Sequence, residues 1–224
     1  MKLSIIVPLL NEAQELPGLL EQLLHFVRLG VEVIIADGGS SDGCADIAEC
    51  AGFTVVRTAR GRARQMNAAA ALATGDTLLF LHADTRLPRE TKAHITQALT
   101  GEKQVWGRFD VCISGRSAML RVISHMMNLR SRLTGIATGD QTIFVTRSAF
   151  DAVEGFPDQP LMEDIELSKR LLTLSRPACI AQCVVTSGRR WEAKGVWRTI
   201  FLMWRLRWNY WRGVSAQRLL EDYR

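Results

Sequence analysis

The chain is poor in cysteine, has no long apolar runs and lacks the glycine-rich signatures of the commonest nucleotide folds. Its five cysteines, Cys44, Cys50, Cys112, Cys179 and Cys183, are odd in number and scattered. That excludes a disulfide framework and fits reduced thiols in a cytoplasmic setting. Cys179 and Cys183 are the one close pair, and no second pair accompanies them, so a zinc site is disfavoured. Thiols buried as small hydrophobes are the expectation. No apolar stretch reaches the length of a membrane span. Met1-Lys2 runs straight into a strand pattern rather than a basic-then-apolar leader. Internal repeats, low-complexity tracts and long linkers are absent. Neither Gly-x-Gly-x-x-Gly nor Gly-x-x-x-x-Gly-Lys-Ser/Thr occurs in a strand-to-helix turn, which argues against a dehydrogenase-type dinucleotide fold and a P-loop.

What is present is an ordinary globular composition, 224 residues with 47% hydrophobic, enough for one large domain or two fused halves. Net charge is +5, and the excess is local: the segment from Arg189 to Arg224 is rich in Arg and Trp and poor in acids. An anionic partner follows, a nucleotide diphosphate or a membrane surface rather than nucleic acid.

The stretch around which the chain is organised is Leu78-Leu79-Phe80-Leu81-His82-Ala83-Asp84-Thr85. An apolar run this short, closed by Gly75-Asp76 before it and Pro88 after it, predicts a strand buried on both faces of a parallel sheet. Ligands of open α/β sheets bind at the carboxyl ends of the strands, where His82 and Asp84 fall. Asp84 there either holds a divalent metal or caps the turn.

Other elements alternate around it. Leu3 to Leu9 predicts a strand with Pro8 at its end, followed by Asn11-Glu12. Leu16, Leu19, Leu20, Leu23, Leu24 and Val27 mark an amphipathic helix closed by Gly30. Val31 to Ala36 is a second strand, Cys44 to Ala51 a helix, Thr54 to Arg57 a third strand and Gly61 to Ala73 an Ala-rich helix. This βαβαβαβ order predicts a doubly wound, mainly parallel α/β sheet with helices on both faces. Asp37, heading the loop Gly38-Gly39-Ser40-Ser41-Asp42-Gly43, either forms an Asx-turn or meets a ligand, with Ser40, Ser41 or Asp42 capping the next helix. The second half is less regular. Helices are expected at Thr91 to Leu99 and Ala118 to Leu133, strands at Val105 to Val111, Thr142 to Val145 and Cys179 to Val185, and a turn at Thr138-Gly139-Asp140-Gln141. Glu163-Asp164 open a further helix, where acids also simply suit the helix dipole.

Taken in order, Ser4-Ile5-Ile6-Val7-Pro8-Leu9-Leu10-Asn11-Glu12, Asp37 to Gly43, Gly61 to Asn67 with Gly75-Asp76, His82-Ala83-Asp84-Thr85 and Glu163-Asp164 resemble the family-2 glycosyltransferases of GT-A fold. The likeness covers roughly residues 3 to 191. It implies that Pro8, Asn11, Glu12 and Asp37 line the nucleotide pocket, with Asp37 reading the base, and that Arg64 approaches the diphosphate. It also implies that Asp84, as the last residue of the family's Asp-x-Asp motif, holds Mn²⁺ or Mg²⁺, with His82 beside it. Asp164 would be the general base, with Glu163 positioning it or binding acceptor. Arg190 and Trp191 match the end of the Gln-x-x-Arg-Trp motif of processive synthases. His82 replaces the usual first Asp, and Ser187 replaces that Gln, which speaks against a processive synthase. The compact pattern also resembles a small bacterial soluble subfamily associated with arsenosugar or selenium pathways.

The chemistry implied is metal-assisted transfer of a sugar from a UDP- or GDP-linked donor to an unidentified acceptor, with inversion, since one base faces one leaving group. Arg64 and Arg190 would help neutralise the diphosphate. Residues 1–88 are expected to form the donor half and 89–194 the acceptor and catalytic half, with acceptor loops within 107–140. Residues 195–224 form a helical tail. In that tail Trp197, Phe201, Trp204, Trp208 and Trp211 share one helical face, with Arg198, Arg205 and Arg212 on another. Core packing, a homodimer interface, a lid or peripheral membrane contact through 195–212 all suit this pattern. The competing readings are a nucleotidyltransferase, which would want a Gly-rich basic loop after the first strand, and a catalytically inactive sugar-nucleotide-binding or membrane-recruited scaffold, which has no need of a base.

Overall fold

The computed structural model describes residues 1–101 and 103–223. The chain begins β1 (Leu3–Leu9), α1 (Leu16–Arg28), β2 (Glu32–Asp37), α2 (Cys44–Cys50), β3 (Thr54–Arg57), α3 (Arg62–Leu72) and β4 (Thr77–Phe80), as the alternating periodicities predict. Then follow β5 (Thr85–Arg86), α4 (Thr91–Leu99), β6 (Trp106–Ser114), α5 (Met119–Thr134), a 3-10 turn at Gly139–Gln141, β7 (Ile143–Thr146), α6 (Arg147–Ala152) and α7 (Glu163–Leu172). The last elements are β8 (Ala178–Ser187), α8 (Arg189–Lys194), α9 (Val196–Trp211) and α10 (Ala216–Tyr223).

All eight strands join one sheet in the order β3-β2-β1-β4-β7-β6-β8-β5. The run β3-β2-β1-β4 is parallel, β7 is antiparallel to both β4 and β6, and β6 and β8 are again parallel. The sheet is therefore mainly parallel, with the order reversing beside β4. Side chains alternate across it as the pleat requires. Ile5, Val7, Leu9, Leu79 and Phe144 enter a core under α1, α2, α4 and α5, while Ile6, Leu78, Phe80, Ile143 and Val145 enter a second core under α3, α6 and α7. β4 is buried on both faces, as expected. Each fully buried Leu, Ile or Val contributes about 1.5–3 kcal/mol relative to exposure.

Two polar latches fix the strand ends. The Gln65 amide, buried in α3, donates to Leu9 O and Ala36 O, both at 2.8 Å, and so ties together the carboxyl ends of β1 and β2. At the opposite edge Glu32 accepts from Ser4 Oγ at 2.5 Å, Thr74 N at 2.7 Å and Thr74 Oγ1 at 2.8 Å. Burial alone would raise the pKa of Glu32, but these hydrogen bonds and the Lys2 charge together hold it below the usual value.

Several expectations need correcting. Of the cysteines only Cys44 is buried; Cys50, Cys112 and Cys183 are exposed and Cys179 is intermediate. They sit on the outer side of α2 and on the outward face of β6 and β8, where the register slips between Phe109 and Asp110. Within residues 107–140, β6 and α5 stand where a strand and a helix were expected, β6 running three residues further than foreseen. One helix-cap expectation holds in modified form: Gly43 is the N-cap of α2, and Asp42 Oδ1 accepts from Cys44 N at 3.2 Å just beside it.

Candidate functional site

Two clusters form at the carboxyl ends of β1, β2 and β4. The first joins the loops after β1 and β2. Asn11 adopts a left-handed φ of 54°, which turns its side chain towards the neighbouring loop. Its Oδ1 accepts from Ser41 N at 2.8 Å, and its own N–H donates to Ser40 Oγ at 3.0 Å. Asp37, buried at the end of β2, accepts from Gly39 N on Oδ2 at 3.0 Å and from Ser40 N at 3.2 Å. The Asx-turn is therefore present. A carboxylate has about four acceptor sites, so it retains capacity for a ligand. Pro8 lies within β1 opposite Ala36, half-buried. Glu12 is held by Arg189, whose Nη2 donates to Glu12 Oε2 at 2.5 Å.

The second cluster gathers around the 3-10 turn. His82, two residues past the end of β4, faces Asp140 with Nδ1 to Oδ1 at 3.4 Å. Asp164, in the first turn of α7, accepts from Gly139 N on Oδ2 at 2.8 Å and from its own-turn Ile165 N on Oδ1 at 2.7 Å. Both contacts are accepted by the carboxylate and leave further lone pairs free. Glu163 is buried beside it, with Arg62 Nη1 3.9 Å from its Oε1. Burial first, and the Asp164 charge second, raise the pKa of Glu163, while Arg62 opposes them. For Asp140, burial alone would raise the pKa, but the His82 hydrogen bond and the charges of His82, Arg62 and Arg190 hold it below the ordinary carboxylate range. His82, Gly139, Glu163 and Asp164 also line a small pocket floored by Met66, Phe80, Ile143 and Phe156.

Backbone strain concentrates here. Besides Asn11, Thr142 has φ 50° at the end of the 3-10 turn and Met162 has φ 65° immediately before Glu163. A left-handed β-branched residue is costly and persists only where its surroundings hold it.

The remaining predicted residues are placed as follows. Asp84 lies between β4 and β5; among the described residues its carboxylate meets only Thr85 Oγ1, at 3.4 Å, and the charge of Arg189 lies nearby. Arg64 points to the surface, where its Nε is 2.8 Å from Asp158 Oδ1. Arg62, two residues earlier and on a different side of α3, is an arginine that faces Glu163. Arg190 donates to Tyr223 Oη and stacks over that ring at 3.9 Å from its centroid. Burial, and then the neighbouring Arg62 charge, lower its pKa. Trp191 is half-buried against the first core. Asp140 carried no distinguishing motif, since it lay in an ordinary turn signature; Arg62 and Gln65 fall within the Gly61 to Asn67 stretch, in which the resemblance singled out Arg64 instead. Among the described residues no three His, Cys, Asp or Glu side chains gather closely enough to enclose an ion.

Known proteins share this fold. Residues 4–152 match the model of Glycosyl transferase family 2. A PGL/p-HBAD biosynthesis glycosyltransferase of Mycobacterium tuberculosis is 34% identical over 108 residues, 45% of this chain and 42% of that protein. The chain thus spans less than half the length of that relative. The mannosyltransferase PcManGT from Pyrobaculum calidifontis, solved with GDP-Man and Mn²⁺, superposes with a TM-score of 0.65 at 22% identity, over 82% of this chain and 56% of that one. Staphylococcus aureus TarS 1-349, solved with UDP-GlcNAc, gives a TM-score of 0.67 at 18% identity, over 84% and 58%. At such identities these structures establish the shared GT-A fold. With the family pattern matched across most of the sheet and the strand-end clusters where that fold places its site, the chain belongs to glycosyl transferase family 2.

Proposed function

We propose that the chain transfers a sugar from a nucleoside diphosphate sugar to an acceptor hydroxyl, with inversion. The observation that carries this reading is the second cluster: Asp164, fixed by Gly139 N–H, stands with Glu163, Asp140, Arg62 and Arg190 around His82, two residues past the end of β4. A base and a cationic wall are thereby set at the mouth of the parallel sheet.

The roles follow from position. Residues 1–88 form the donor half. Asp37 offers a remaining acceptor site to a base N–H, and Pro8, Asn11 and Glu12 wall the nucleotide. Arg62 and Arg190 face the diphosphate; Arg64 would first have to leave Asp158. Asp164 takes the acceptor proton, and Glu163 supports the acceptor side. Trp191 backs Arg190 from the core. In related structures the donors are GDP-Man and UDP-GlcNAc, which supports a nucleotide sugar of that class.

Asp84 fits a divalent ion of the Mn²⁺ or Mg²⁺ kind. Its carboxylate is scarcely engaged, and an ion shared with a substrate diphosphate needs only one or two protein carboxylates. When bound, such an ion offsets charge on the departing diphosphate. His82, two residues before it, is the second donor that the family pattern implies, although its ring is turned to Asp140. Membership of the arsenosugar- or selenium-associated subfamily is supported by the sequence pattern alone.

The test is sugar-nucleotide turnover by Asp164→Asn. Removing a general base costs about 10²–10⁴-fold in rate. The expected outcome is that loss with donor binding unchanged. Full turnover in the variant contradicts the assignment of the base.

A further inference from the structure

The C-terminal helix α9 has two faces. Inwards, Thr199 and Leu206 are buried, and Leu202, Met203 and Tyr210 pack with Leu161, Met162 and Ile165 at the start of α7. Tyr210 Oη also donates to Glu166 Oε2 at 3.1 Å, and Lys169 lies over its ring. The helix is therefore anchored on the segment that presents Glu163 and Asp164.

Outwards, opposite that face, stand Trp197, Phe201, Trp204, Trp208 and Trp211, which are 61%, 66%, 69%, 58% and 75% exposed. Steps of four and three residues hold them within one stripe of a 3.6-residue helix, about 21 Å long. Every member is aromatic, where a core-type surface would mix in Leu and Ile. Arg198, Arg205 and Arg212 each follow a Trp by one residue, so they form a cationic column along one edge of the stripe; Arg207 lies towards the other edge. Between Glu192 and Glu221 the sequence has no Asp or Glu. Among the described residues Arg205 alone of these forms an ion pair, with Asp222 at 3.5 Å.

We propose that this face of α9 seats the protein on an anionic lipid bilayer. Trp suits the headgroup level, where one end of the ring is apolar and the other wet. Arg at the stripe's edge meets lipid phosphates while its stem covers apolar surface. Charge complementarity selects this occupant over a second copy of the chain. In a two-fold pairing of the stripes the basic edges would meet one another with no acid of α9 to neutralise them, and like-charge juxtaposition opposes association. Among the described residues no helix is long and apolar enough to cross a membrane, so the contact lies in the interface plane. The docking stands independently of the transfer reading, although it places the bilayer behind the acids of α7.

The experiment is co-sedimentation of the full chain with phosphatidylcholine vesicles, with and without phosphatidylglycerol, while Trp emission is recorded. Pelleting and a blue shift are expected with phosphatidylglycerol, weakening with added salt. Trp204→Ser/Trp208→Ser should lower the partition about tenfold or more with an unchanged far-ultraviolet spectrum. Arg198→Gln/Arg212→Gln should lower it selectively for the anionic vesicles. Three outcomes overturn the proposal: no pelleting of the folded chain with either vesicle, partition that survives the Trp substitutions, or a soluble dimer in sedimentation velocity that those substitutions dissociate.

Discussion

A methyl group on Gly139 would lie 2.3 Å from His82 Nε2, closer than any real Cβ contact. The same glycine donates its N–H to Asp164. One residue without a side chain thus lets the histidine after β4 and the acid of α7 share a site. Gly139→Ala should push the ring off Asp140 and cut sugar-nucleotide turnover at least about tenfold, with thermal stability reduced by about 1–3 kcal/mol. Turnover and melting curves of the purified variant check this, and an unperturbed variant would show that the contact is not required. At this scale the sequence was only partly legible. Asp84, Asp164 and Asp37 lie in ordered motifs, and each falls at a strand end or helix start as expected. Asp140 did not announce itself, and within the Gly61 to Asn67 stretch nothing marked Arg62 over Arg64, because the relevance of both comes from chain crossings. Asp140 reaches His82 across 58 positions, and Arg62, rather than Arg64, faces the acids because of its place on the turn of α3.

Elements came through according to their length. β1 to β4 are short apolar runs closed by turn residues, α1 has a clear 3.6-residue period and α3 is Ala-rich, and the structure reproduces β1 to β4 and α1 to α3 nearly residue for residue. β5 spans two residues and exists through its pairing with β8, so no local pattern could show it. α6, α8 and α10 have six to eight residues each, too short for a helical period to stand out. At the edge of β2, Glu32 is a latch whose worth depends on pH. Its folded pKa lies below its unfolded value of 4.5, so its stabilisation is present above that value and is lost as pH falls through the folded pKa. Glu32→Gln should therefore cost about 1–3 kcal/mol near neutral pH, the range for hydrogen bonds to a charged group. The two unfolding curves should converge as the solution is acidified. A constant difference across that range would mean that the latch acts without its charge.

For the molecule as a whole, the continuous sheet joins a parallel half, which ends in the Asn11–Asp37 loops, to a mixed half that carries Asp140 and Glu163-Asp164 on the elements flanking β7. The strand order reverses beside β4, the kind of crevice in which open α/β sheets take their ligands. This much was readable from the order of elements. The antiparallel placement of β7 and the crossing of β8 between β6 and β5 were not, because they are set by pairings between strands far apart in sequence. On the proposed function these loops and Asp84 together hold a nucleotide diphosphate. The decisive experiment is calorimetric titration of the full chain with UDP, GDP and their sugars, with and without Mn²⁺. Binding of one nucleotide is expected, strengthened by Mn²⁺ and losing that metal dependence in Asp84→Ala. Absence of binding by every nucleotide to the folded protein, or metal-dependent binding that Asp84→Ala leaves intact, would contradict it.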